Sequence, residues 1–335
     1  MKHIVFGGNG FVGTQLVANL LAKGERVVSA DISHAAIETE GGLTRLPVDL
    51  TRRETLDAVP MEAGDMVYNL AAKMLSPLQV RAKRHDFFYP VNLHGVENIL
   101  DRMEKAGASR LVQFTTDMIY GHTVDIPKRE TARKEPLGHY GGSKLAAERL
   151  CEKWRAEKGF SISIFRPRLI IGPGRLGILS KLFRLIDLNL PVPMIGSGRN
   201  PYQFISVYDC ASACEAAWRA GVPNAAYNLG SCEPPPVKQL LGELIREAGS
   251  RSFLLPTPAP LVKMTLGLFD RLNMPIMDPE QYLIADETCI LDTGAARRDL
   301  GWQPQHRDSD MLRAAYREYR AGLTRTGSLL AASAT

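Results

Sequence analysis

The chain has 335 residues, 45% hydrophobic and 23% charged, with 41 basic against 36 acidic side chains and a formal net charge of +5. That length suffices for one large domain or two, and the composition is that of a folded globular protein rather than a disordered chain. The small basic excess is spread along the sequence and gives no case for a nucleic-acid binder; no run of about 18 apolar residues offers a membrane span; and five cysteines without a C-x-x-C pair fit reduced thiols in the cytoplasm.

Taken in chain order, the first predicted strand is His3–Phe6, too short for a secretory signal. It runs into Gly7-Gly8-Asn9-Gly10-Phe11-Val12-Gly13, and a helical period follows over Phe11–Lys23. A G-x-x-G-x-x-G spacing between strand and helix is the context of a dinucleotide-binding turn. Glycine lets the backbone approach a pyrophosphate, and the helix N-terminus offers free N–H groups to the anion. A tight turn without a ligand would explain the glycines equally well. The second strand, Arg26–Ala30, tips the balance, because it ends at Asp31, 18 residues after Gly13. A carboxylate there accepts hydrogen bonds from both ribose hydroxyls and repels a 2′-phosphate, which favours NAD over NADP.

The third strand, Leu43–Val48, leads to Asp49-Leu50. This pair can contact an adenine, or Asp49 can cap the helix that starts in "TRRETL". The fourth, Asp65–Leu70, ends in Asn69-Leu70-Ala71-Ala72, where small residues suit either a cofactor lying across the sheet edge or close packing. A helix is expected over Val91–Ala106, and then a fifth strand, Arg110–Thr115, that brings Thr115-Thr116 to the carboxyl end of the sheet, where α/β folds place their sites. The helix Tyr140–Lys158 carries Tyr140 and Lys144 one turn apart on one face. A free phenol has a pKa of ~10, and a nearby ammonium favours its ionised form. Tyr140 then becomes a base for an alcohol proton, or an acid toward a carbonyl oxygen. An exposed tyrosine beside a surface lysine is the bland alternative. The sixth strand is Ser161–Phe165. Strands alternating with helices predict an α/β fold with a doubly wound parallel sheet.

Beyond residue 175 prolines cluster, and short strands (Gln203–Val207, Ala226–Leu229) alternate with helices (Tyr208–Ala220, Val237–Ala248). We read 1–175 as a cofactor domain to which 203–230 returns, 176–323 as a smaller mixed α/β substrate domain, and 324–335 as a flexible tail. Cys210 and Cys214, one turn apart, read as small buried apolar residues. The amphipathic stretch Pro260–Met277 reads as a helix packed on its own domain, a lid over an apolar substrate, or an element on a membrane surface. His85, His94, His122 and His139 show no metal spacing, and no metal is expected.

Several segments now stand in a characteristic order: "GGNGFVG", "DLT", "NLAA", "VNLHGVENIL", "FTTDMIYG", "YGGSK", "FRPRLIIGPG", "YNLGS" and "LDTGAARRDLGWQP", from residue 7 to about 304. Together they resemble the extended short-chain dehydrogenase/reductase family, its NAD-dependent epimerase/dehydratase group. The resemblance implies a Rossmann-type domain with a small C-terminal substrate domain, NAD as cofactor, and a homodimer paired through the helices near 91–106 and 140–158. It implies Thr116, Tyr140 and Lys144 as catalytic residues, Asn92 supporting the lysine through water, Lys144 holding the nicotinamide ribose, and Arg166-Pro167 passing near the nicotinamide. Where 4,6-dehydratases of the family carry an acidic pair after the threonine, this chain has Asp117-Met118, which disfavours dehydration. Where many of its sugar-nucleotide epimerases carry a phosphate-binding arginine, this chain has Tyr202, with Arg199 three residues earlier. Arg168, Arg175, Lys181 and Arg184 could line a basic mouth or form a charged helix face. The first expectation is an NAD-dependent 4-epimerase-like oxidoreductase acting on a nucleotide-linked sugar. The second is a 3β-hydroxysteroid-dehydrogenase-like alcohol dehydrogenase or ketoreductase for an apolar substrate. The third, of another class, is a non-catalytic NAD-binding scaffold or sensor.

Overall fold

The computed structural model describes the backbone of residues 1–174 and 179–332 and side chains up to residue 322. Arg175 lies outside the described residues, as do the end of the tail at 333–335 and the side chains of 323–332. The first half runs β1 (His3–Phe6), α1 (Phe11–Ala22), β2 (Val27–Asp31), β3 (Glu38–Glu40), β4 (Leu43–Pro47), α2 (Arg53–Asp57), β5 (Met66–Asn69), α3 (Arg84–Tyr89), α4 (Gly95–Ala106), β6 (Arg110–Phe114), α5 (His139–Lys158) and β7 (Ser161–Pro167). The second half runs β8 (Leu169–Ile171), α6 (Leu179–Asp187), β9 (Val192–Ile195), β10 (Phe204–Ser206), α7 (Val207–Arg219), β11 (Ala226–Leu229), α8 (Val237–Glu247), β12 (Leu254–Thr257), α9 (Ala259–Arg271), α10 (Pro279–Tyr282), α11 (Gly294–Leu300) and α12 (Asp308–Ala332).

An eight-stranded sheet has the order β11-β7-β6-β5-β1-β2-β4-β3, parallel except for the short edge strand β3. Its central strands, such as β1 and β5, are buried on both sides because both faces of the sheet are covered. In β1, Val5 belongs to the core under α1, α7 and α11, with Leu16, Leu20, Cys210, Cys214 and Leu300, while Ile4 and Phe6 join the opposite core under α2, α4 and α5, with Ile99, Met103, Cys151 and Trp154. Sequence order reverses between β1 and β5, so the crevice at their carboxyl ends is a topological switch point, the place where such sheets bind ligands.

The later segments divide between two places. Helix α7 packs on α1, and β11 pairs with β7 to extend the main sheet. The remainder builds a separate core from α6, α8 and α12, with Phe183, Ile186, Leu240, Leu244 and Leu312, beside the two-stranded pairs β10–β8 and β12–β9. Helix α9 keeps Asp270 buried and leaves Leu261, Met264 and Leu268 exposed along one face, with Leu272 just past its end exposed as well. Among the described residues, no helix is long and apolar enough to cross a membrane.

Candidate active site

A cavity of about 450 Å³ opens at the switch point. At one end lies the glycine turn. Gly7 has φ +77°, and a Cβ there would fall 2.7 Å from the Ala71 nitrogen, so the end of β5 closes on a backbone that only glycine provides. A Cβ on Gly13 would fall 2.0 Å from the Gly7 carbonyl oxygen, so α1 sits on the turn at a distance no side chain permits. Gly10 precedes α1 without a side-chain cap, and the first turn holds no acidic residue. The amide end of the helix at Phe11 and Val12 therefore faces the cavity, an arrangement suited to an anion. The glycines thus let the turn pack tightly on itself and on the end of β5, while Gly7, Gly10 and the uncapped helix end line the cavity, a donor set that fits a pyrophosphate.

Asp31 stands in the same wall, held by three hydrogen bonds: Ser33 N–H donates to Oδ1 (2.9 Å), the Ser33 hydroxyl donates to Oδ1 (2.7 Å), and Asn9 N–H donates to Oδ2 (3.1 Å). Asp49 lines the cavity but does not cap the following helix, whose N-cap is Arg52 without a side-chain bond. Its carboxylate instead closes a turn on Thr51, Oδ1 accepting from the N–H and hydroxyl of that residue (2.9 and 2.7 Å). Leu50, Leu70, Ala71 and Ala72 also line the cavity, and so does Pro167 at the end of β7, four strands across the sheet from Asp31.

Thr116, Tyr140 and Lys144 converge farther along the same cavity, all three buried. Thr116 caps the short 3-10 turn Asp117–Tyr120, its Oγ1 accepting from Met118 N–H (3.2 Å). Tyr140 and Lys144 project from the first two turns of α5. The Tyr140 hydroxyl approaches Met74 Sδ (3.5 Å), and its ring meets Phe88 edge-on at 5.6 Å. Lys144 Nζ donates to the Phe114 carbonyl (3.3 Å), and burial pulls its ammonium down to about 8, opposed by the Glu148 carboxylate. Asn92 lies in a π-helical turn, Pro90–His94, ahead of α4. Its amide donates to the Lys73 carbonyl and the Ser143 hydroxyl (both 3.1 Å) and accepts from Lys73 N–H (2.9 Å). It thus ties the loop after β5 to Ser143, the residue beside Lys144.

The substrate-side expectations divide. Asp117, Met118, Arg168 and Lys181 line the cavity. Arg168 is 1% exposed, donates to Asp117 Oδ2 (2.7 Å) and has its guanidinium carbon over the Tyr202 ring, 4.3 Å from the centroid. Tyr202 therefore stands behind Arg168, outside the wall. Arg199 and Arg184 are exposed and are not brought to the cavity.

Two anchors escaped the sequence reasoning. Glu148, one turn after Lys144, binds Arg166 with both oxygens (3.0 and 2.8 Å) and accepts from the Thr115 hydroxyl (2.7 Å), fixing α5 to the ends of β6 and β7. Glu280, from α10, accepts from Tyr140 N–H and Gly141 N–H, each at 2.8 Å. The i, i+4 spacing of Lys144 and Glu148 was a signal for the first; nothing local signalled the second. Among the described residues no three His, Cys, Asp or Glu side chains form a metal-holding group.

Residues 3–230 match the NAD dependent epimerase/dehydratase family. The chain is 30% identical over 332 residues to the uncharacterized protein y4nG of Sinorhizobium fredii, covering 97% of this chain and 80% of that one. It is 25% identical to a 2-alkyl-3-oxoalkanoate reductase of Stenotrophomonas maltophilia, covering 91% and 95%. The UDP-glucose 4-epimerase of Thermus thermophilus, solved in complex with NAD, superposes with a TM-score of 0.73 at 23% identity, over 96% of this chain and 99% of that one.

Proposed function

The chain belongs to the NAD-dependent epimerase/dehydratase family, whose cofactor is NAD, and from that premise we propose that it is an oxidoreductase interconverting a secondary alcohol and a ketone on a substrate with an apolar body. The observation that carries the proposal is the meeting of Thr116, Tyr140 and Lys144 in one cavity with the glycine turn and Asp31. The turn and the α1 N-terminus would hold the pyrophosphate, and Asp31 the adenosine ribose. NAD, when bound, supplies the hydride acceptor or donor. Tyr140 takes the hydroxyl proton as the alcohol is oxidised and returns it to the oxygen in reverse. The Thr116 hydroxyl orients that oxygen. The Lys144 ammonium favours the phenolate, and its burial strengthens the effect because little water screens it.

The substrate end favours the apolar choice. Met74, Leu75, Leu78, Met118, Ile276 and Met277 wall it, Tyr202 replaces the expected phosphate-binding arginine, and Arg199 faces solvent. The similarity to a reductase of 2-alkyl-3-oxoalkanoates supports the same choice. A second reading, a nucleotide-sugar 4-epimerase, draws on the cations Lys73, Arg168 and Lys181 in the same wall. A panel of medium-chain 2-ketones, an alicyclic ketone and UDP-, GDP- and dTDP-sugars separates the two. Oxidation of NADH with a ketone supports the proposal; isomerisation of a nucleotide sugar without exchange of cofactor supports the epimerase. Tyr140→Phe is expected to lower turnover about 10²- to 10⁴-fold while NAD still binds. Undiminished turnover would remove Tyr140 from the reaction.

A further inference from the structure

Helix α5 begins at an N-cap, Gly138, that has no side chain to bind its first amides. Those amides are bound from another part of the chain. The two oxygens of Glu280 accept separately from Tyr140 N–H and Gly141 N–H, the second and third residues of the helix. The approach is built on both sides. A Cβ on Gly138 would lie 2.6 Å from Glu280 Oε1, and one on Gly141 would lie 2.7 Å from Oε2, so both glycines leave room for the carboxyl. Glu280 is 2% exposed. Its own segment is fixed by Asp278, which caps it through Glu280 N–H (3.0 Å) and stands 3.4 Å from Arg84 Nε, while Arg84 also grips Asp270 of α9. The charged groups acting on Glu280 are Asp278 beside it and Arg84 from α3; Asp270 from α9 and His139 from α5 act in turn on Asp278. The same stretch of chain also reaches the cavity, whose wall includes Ile276 and Met277 just before α10 and Gln281 within it.

We infer that Glu280 is a positioning residue for Tyr140: by holding the first turn of α5 it makes the segment that walls the substrate also set where the catalytic phenol stands. The inference rests on the proposed role of Tyr140. Glu280 lies outside the cavity wall and acts only through the turn. Misplacement of a reacting group by a fraction of an ångström is costly to turnover, whereas binding of NADH, which the glycine turn governs, is untouched.

The test uses full-length protein with NADH and whichever ketone of the panel is turned over. Glu280→Ala removes both acceptors, and Glu280→Gln keeps one. Gly138→Ala, whose extended backbone (φ −162°) accepts alanine, pushes the intact carboxyl off the turn. The expected result is a fall in kcat of tenfold or more, larger for alanine than for glutamine, with KM for NADH and ketone within twofold and Gly138→Ala matching the loss. A kcat unchanged in the variants that fold, or a loss carried by KM, overturns the inference. If no ketone is turned over, the functional reading fails by itself, and hydrogen exchange in the NAD-loaded protein decides Glu280. Faster exchange at residues 140–141 in the variants supports it, and exchange equal to wild type overturns it.

Discussion

Asp31, Lys144 and Glu280 each depend on where the backbone puts a charge. Asp31 is held in the cavity wall by Ser33 and by the N–H of Asn9 in the glycine turn itself; in the role proposed for it, beside the adenosine ribose, its negative charge would repel a 2′-phosphate. Asp31→Ala is expected to narrow the preference for NAD over NADP about tenfold or more, read as the ratio of dissociation constants. Lys144 and Glu280 are displaced in opposite senses. Burial lowers the first to about 8 and raises the second to about 8. For Glu280 the folded chain holds a proton that the unfolded chain releases at ordinary carboxylate pH. Its contribution to stability is full below the unfolded value and is lost as pH rises toward and through about 8. Lys144 works the other way, gaining as pH rises above about 8. The comparison therefore belongs between wild type and Glu280→Gln. Wild type should lose up to ~1.4 kcal/mol per pH unit relative to the variant on the way to pH 8 in urea unfolding. A constant difference would show that the carboxyl does not titrate there.

At the scale of elements, the strand–turn–helix at β1–α1 and the helix α5 carry the site. Gly13→Ala drives a methyl into the Gly7 carbonyl; α1 must back away, and NAD affinity should fall at least tenfold by titration calorimetry. Glu148→Ala strands the buried Arg166 guanidinium and should cost ~3–5 kcal/mol in denaturant unfolding. Much of this tier was legible in the sequence. The apolar runs at His3–Phe6 and Ala226–Leu229 match the strands residue for residue, and the helices over 11–23 and 140–158 end within a residue of expectation, because period and glycine are local signals. Other features were not legible. The helix expected from Val91 starts with the π turn that carries Asn92, β3 is three exposed residues, and Glu280 meets Tyr140 across 140 positions of sequence. Such contacts depend on tertiary placement, which periodicity does not encode. For the same reason Arg199 and Tyr202, at or near the expected arginine position in the sequence, ended outside the cavity wall.

At the scale of the molecule, the cavity lies between the two-faced core of the large sheet and the segments 167–171, 179–181 and 276–281. Ligand filling it should hold these parts together: at about a hundred times its dissociation constant, NAD should add ~2.7 kcal/mol of stability, seen as a rise in Tm that Tyr140→Phe keeps and Gly13→Ala loses. The two margins of the large sheet have a consequence of their own. At one margin β3, Glu-Thr-Glu, is fully exposed and short; at the other, the outward N–H of Asn228 in β11 is taken by the Glu130 carboxylate at 2.9 Å. An incoming strand would meet repelling anions on one side and an occupied donor on the other, so a protein built on eight nearly parallel strands has little means of growing into fibrils edge to edge.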